Sequence, residues 1–88
     1  MNSKQKKILR AILDGSGMVS MEDLSSLLRA LGFALRQGSG LRQRLLSEKY
    51  GMLSLHVPHG GEPSVPKGMM KRLRESFLEK GIHHELDV

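Results

Sequence analysis

Hydrophobic residues follow two rhythms along this chain: a helical period towards either end and a strict alternation in the middle. Residues 3–14 (SKQKKILRAILD) put Ile8, Leu9, Ile12 and Leu13 on one face, with Lys6, Lys7 and Arg10 on the other. Gly15-Ser16-Gly17 stops that helix. Ser20 with Asp23 three residues on resembles a capping box, and Leu24, Leu27, Leu28 and Leu31 follow at helical spacing until Gly32. Residues 67–80 carry Met69, Met70, Leu73 and Phe77 on one side and Lys71, Arg72, Glu75 and Glu79 opposite, and Gly81 closes this last helix. Pro66 suits its first turn. The nine residues Pro58–Pro66 hold three prolines and two glycines and read as a loop.

Between the helices, 33–37, 41–46 and 52–57 alternate in the manner of strands, with Gly38-Ser39-Gly40 and Glu48-Lys49-Tyr50-Gly51 as turns. Alternation sorts the residues into two faces. Odd positions give Phe33, Leu35, Gln37, Leu41, Gln43, Leu45, Leu53, Leu55 and Val57, and even positions give Ala34, Arg36, Arg42, Arg44, Leu46, Met52, Ser54 and His56. The order α-α-β-β-β-α therefore predicts an α+β fold, a three-stranded antiparallel sheet covered by helices on its odd face. The even face is left to water or to a ligand. This assignment of faces holds only if no bulge interrupts a strand.

The length, 88 residues, fits a single domain, 1–88, that buries roughly 60–65% of its unfolded surface. The absence of cysteine removes disulfides and thiol catalysis and fits a reducing compartment. The start Met1-Asn2-Ser3-Lys4 leads into no apolar stretch of the signal-peptide kind, and no run nears the roughly 18 residues a membrane span needs. A cytoplasmic protein without a membrane partner is expected. Fourteen Lys and Arg against nine Asp and Glu give a net charge of +5 and an isoelectric point near 10, which favours a polyanionic partner. Only Phe33, Tyr50 and Phe77 are aromatic, too few for a base-stacking platform, so a nucleic acid would be held through its phosphates.

On the even face, Arg36, Arg42 and Arg44 offer planar forks that match phosphate, and His56 offers an imidazole, the usual general acid or base. Cleavage through a ribose 2′-hydroxyl needs a base, a cation for the phosphorane and an acid for the leaving oxygen. His59 lies just past the third strand, at the mouth of the Gly/Pro loop. In extended chain His56 and His59 point to opposite sides, and no Cys or carboxylate cluster completes a metal site, so neither a metal nor a small-molecule cofactor is expected. Gly38-Ser39-Gly40 lacks the Lys-Ser/Thr of a phosphate loop and reads as a turn. Lys71 and Arg72 extend the basic track onto the last helix, or face an acidic partner. His83 and His84 belong to a polar, flexible tail, 83–88.

The ordered series of a leucine-ladder helix, a strand, a Gly-Ser turn, two strands ending in Val57-Pro58-His59, a Gly/Pro loop, Lys67-Gly68-Met69-Met70-Lys71-Arg72-Leu73-Arg74 and a closing Lys80-Gly81-Ile82 resembles the HicA-type toxins of bacterial toxin–antitoxin modules. The resemblance covers about 20–82, with 3–14 as an added N-terminal helix. It implies a double-stranded-RNA-binding-like fold, metal-independent mRNA cleavage and neutralisation by a cognate antitoxin protein. Most members carry Gly-Ser-His at the turn, where the histidine is the catalytic base. Here the turn reads Gly38-Ser39-Gly40. Cleavage would then pass to His56 or His59, with Arg42 or Arg44 stabilising the phosphorane. Two other readings stand beside it: a non-catalytic RNA- or protein-binding relative, and a winged-helix DNA binder with 3–31 as its first helices and 41–57 as its wing. The second lacks a basic recognition helix after Leu31.

Overall fold

The computed structural model describes residues 1–39, 42–56 and 63–87, with the backbone alone at Gln37 and Ser39. Its elements are α1 (Ser3–Asp14), α2 (Met21–Ala30), β1 (Ala34–Ser39), β2 (Arg42–Ser47), β3 (Gly51–His56), α3 (Lys67–Lys80) and a 3₁₀ helix, η1 (Ile82–Asp87). The expected α+β order is present, with η1 in addition.

Helix α1 starts with a reciprocal cap: the Asn2 side chain accepts from the Gln5 amide at 2.9 Å, and the Gln5 side chain accepts from the Asn2 amide at 3.0 Å. The Ser20 hydroxyl accepts from the Asp23 amide at 3.0 Å to open α2. Its exit is a Schellman turn, in which Phe33 N–H bonds to the Leu28 carbonyl and Gly32 N–H to that of Arg29. Gly32 has the positive φ of 83° that this turn requires. Phe33, expected as the first strand residue, therefore serves as the buried end of that turn and aims the chain into β1. The buried hydroxyl of Ser47 donates to the Leu31 carbonyl at 3.1 Å and accepts from the Tyr50 amide at 3.3 Å, so it ties the exit of α2 to the end of β2.

The strands form one antiparallel sheet in the order β1-β2-β3. Leu45, Leu53 and Leu55 are buried on the helix side, while Arg42, Arg44, Ser54 and His56 are exposed on the other. In β2 and β3 the faces fall as the alternation predicts. In β1 they do not, because a bulge between Leu35 and Gln37 leaves Arg36 without a partner. Beyond it, Gln37 takes the register position opposite Arg44 and Ser39 the position opposite Arg42, while Gly38 lies opposite Gln43. Gln37, counted with the apolar face by strict alternation, is thereby reassigned to a register position on the basic one. Leu41 and Val57 lie outside the described residues.

Helix α1 packs against α2, α3 and η1, and α3 packs against β3 and η1. Leu9 and Ile12 of α1 are 0% exposed, as is Phe77 of α3, so the N-terminal helix is central to the core. Burial of each such side chain contributes roughly 1.5–3 kcal/mol. Two connections are joined as well: Val65 N–H bonds to the Val19 carbonyl and Met21 N–H to that of Pro63, each at 2.8 Å. At the β1 edge the helical layer stops short, and Leu35 is 57% exposed beside an open cleft shared with Met21, Leu24 and Leu28. No helix among the described residues is long and apolar enough to cross a membrane.

Residues 83–87, expected within the flexible tail 83–88, belong with Ile82 to η1, whose spacing lets Ile82 enter the core, Leu86 pack against it and Glu85 reach the β2–β3 turn. The Tyr50 hydroxyl donates to the Glu85 carboxylate, Lys49 Nζ lies 3.1 Å from the same oxygen, and Lys80 Nζ donates to the Tyr50 carbonyl at 3.1 Å. The Tyr50 ring also stacks on Phe33 with centroids 6.3 Å apart. The hydrogen bond from Tyr50, followed by that from Lys49, holds the Glu85 carboxyl below the usual carboxylate range. The bond to Glu85, followed by that to Tyr50, raises the Lys49 ammonium. Burial, followed by the Glu85 bond, raises the Tyr50 phenol.

Two expectations follow. Leu9→Ala should cost about 2–5 kcal/mol in denaturant unfolding, and a chain lacking residues 1–14 should lose its cooperative transition. A cooperative melt in the shortened chain would make α1 an accessory. The lowered Glu85 value stabilises the fold above the ordinary carboxylate value and loses that contribution as pH falls through the folded one. The raised Lys49 and Tyr50 values act below their ordinary values near 10 and lose their contribution as pH rises. Fluorescence of the sole tyrosine should therefore be flat between about pH 5 and pH 9 and change at both ends. Glu85→Gln should abolish the acid limb, and an unchanged acid limb in that variant would show that another group causes it.

Candidate nucleic-acid interface

The register of β2 and β3 brings the predicted chemistry together in rows. Arg42 lies directly opposite His56, and Arg44 directly opposite Ser54. Directly paired residues have Cβ atoms about 4.5–5.5 Å apart, so a guanidinium and an imidazole share one small patch. Arg42 and Arg44 are two residues apart on one strand, about 6.8 Å, which lets them reach separate phosphate oxygens. A third row is apolar, with Ala34 and Met52 in register on either side of Leu46. The even face is therefore divided: polar towards the Ser39 and His56 ends of its strands, apolar towards the β2–β3 turn.

Arg42, Arg44 and His56 are exposed and make no ion pair or side-chain hydrogen bond among the described residues. Lys49 differs, since its charge is engaged by Glu85. No acidic side chain occupies a described even position of the sheet. Helices pack on the opposite face, so a chain-like ligand has room to lie across the strands.

The remaining candidates separate. Arg36 is the bulge residue and borders a shallow depression with Ala34, Leu46 and Lys49, away from the Arg42–His56 row. Lys71 and Arg72 do not form one track. Neighbours on a helix are about 100° apart around its axis, so Arg72 lines a cleft with His56 beside β3, while Lys71 joins Lys67 and Arg74 on a stripe near Gly15 and Gly17. That second stripe shows in the sequence only as i, i+4 and i+7 spacing. His59 and Gly40 lie outside the described residues. His83 and His84 sit in η1, with ring centroids 4.1 Å apart, and no group of three His, Cys, Asp or Glu suited to a metal occurs among the described residues. Ser54 was missed as a site residue; it is the polar partner of Arg44, which only the register reveals.

No protein-family model, curated protein or solved structure matches this chain. The interface therefore rests on its geometry. Titration with inorganic phosphate, followed by amide chemical shifts, should move Arg42, Arg44 and His56 together and leave Lys71 in place. A response centred on Lys67, Lys71 and Arg74 would relocate the anion site to α3.

Proposed function

We propose that this chain binds RNA across the open face of its sheet and acts in the cytoplasm as a HicA-like toxin, cutting mRNA without a metal and held in check by a partner antitoxin. The observation that carries the reading is the Arg42–His56 pair, with Arg44 one row away, all unpaired among the described residues on a face whose described positions hold no acidic group. The α-β-β-β-α order of α2 to α3 supports a double-stranded-RNA-binding-like arrangement. The step from α2 straight into β1 provides no helix to serve as a major-groove reader, which weighs against a winged-helix DNA binder.

In the proposed reaction the neutral His56 imidazole takes the proton of a ribose 2′-hydroxyl. The 2′-oxygen then bonds to the adjacent phosphorus. Arg42 and Arg44 hold the charge that builds on the equatorial oxygens. The bond from phosphorus to the 5′-oxygen breaks, and that oxygen takes a proton from the imidazolium of His56 or from His59. The products are a 2′,3′-cyclic phosphate and a 5′-hydroxyl. A binding-only role is the second reading, favoured by Gly40 in place of the family histidine and by the single imidazole on the described part of the face.

Cleavage of a defined RNA in EDTA decides between them. The parent should cut, and His56→Ala should lose about 10²–10⁴-fold in rate. Arg42→Gln and Arg44→Gln should each reduce the dependence of log affinity on log salt by about 0.7. A folded, antitoxin-free parent that binds RNA with this salt slope but leaves it intact would establish the binding-only role. Undiminished cleavage by both His56→Ala and His59→Ala would overturn the histidine mechanism.

A further inference from the structure

A second recognition surface lies at the edge of the sheet. Strand β3 is terminal in the order β1-β2-β3, so one side of its backbone has no strand partner among the described residues. Helix α3 runs beside that edge, and between them lies a cleft of about 320 Å³. Its walls are apolar through Leu53, Leu55, Met69 and Leu73, and among the described residues its only ionisable lining groups are His56 and Arg72. Gly68 leaves the wall open at the start of α3: a Cβ there would meet nothing within 4 Å.

We infer that this cleft accepts an extended acidic segment of a partner protein, which adds to β3 as a fourth strand. A free strand edge presents amide donors and carbonyl acceptors in the pattern another backbone satisfies. In an added strand, alternate side chains would enter the cleft against Leu55 and Met69. Carboxylates on the segment would meet Arg72 and His56, with no acidic lining group among the described residues to oppose them. Three features disfavour other occupants. Among the described residues nucleic acid would find apolar walls, no Phe, Tyr or Trp on which to stack bases and, in Arg72, a single guanidinium. A second copy would bring another Arg72 and His56, and a net charge of +5, against like charge. The two guanidinium groups of the sheet face are separate, since Arg42 and Arg44 do not line the cleft, and His56 is the residue the two surfaces share. The inference is therefore independent of whether the chain cuts RNA.

The probe is a capped seven-residue peptide of alternating Asp and Val, titrated into the full chain and followed by amide chemical shifts and amide exchange. Shifts and slowed exchange are expected in Leu53–His56. Arg72→Glu should weaken binding by about tenfold or more, in line with loss and reversal of one charge-assisted contact. Gly68→Phe should abolish binding by filling the cleft, while Gly68→Ala, with its Cβ in open space, and Arg44→Glu should retain it. Equal binding of a Lys-Val peptide would overturn the inference, as would shifts confined to Arg42 and Arg44. Concentration-dependent shifts at β3 without peptide would assign the edge to a second copy. An oligouridine whose binding is lost in Gly68→Phe would assign the cleft to nucleic acid. Peptide binding by a parent that does not cut RNA would leave the inference standing and refute only cleavage.

Discussion

The open face exists because Leu45, Leu53 and Leu55 are held down by the helical layer. Side chains alternate along a strand, so burying these three fixes Arg44, Ser54 and His56 on the opposite side. A slip of one residue would expose the leucines and bury an arginine, at a cost far above that of any single surface contact. The chemistry of the site is thus specified by residues that never touch a ligand. Leu9, Ile12 and Phe77 brace the layer from behind, and the Ser47 hydroxyl fixes where β2 meets it.

Much of this was legible in the chain itself. The leucine ladder, the glycine stops and the alternation in β2 and β3 are local patterns, and each produced the expected element within a residue or two. The Arg42–His56 pairing needed a register, and the length of the turn at 48–50 sets it. What sequence alone could not supply was non-local. The bulge at Arg36 carries no signature residue; its effect is to change which β2 residue each β1 position opposes. The central place of α1 follows from three-way packing with α2, α3 and η1, whereas its amphipathic pattern would suit a peripheral helix equally well. In the same way η1 looks polar in one dimension, because its order depends on Tyr50 and Lys49, over thirty residues earlier.

His56 occupies a position shared by two surfaces. Its register partner Arg42 belongs to the sheet face, and its neighbour across the cleft, Arg72, belongs to α3. A partner seated along β3 would therefore lie against the same imidazole that the proposed chemistry uses. Occupancy of the edge and use of the face would then be coupled through one side chain, with no conformational change required of the fold.

The two edges of the sheet are not equivalent. On β1, the bulge breaks the even spacing of backbone donors and acceptors and twists the strand locally. On β3 the register with β2 runs unbroken from Gly51 to His56. A sheet with two regular edges can grow from both sides and is a seed for open-ended fibres. With one regular edge and one interrupted edge, a strand added at β3 under the inference above would have no equivalent site at β1 from which growth could continue.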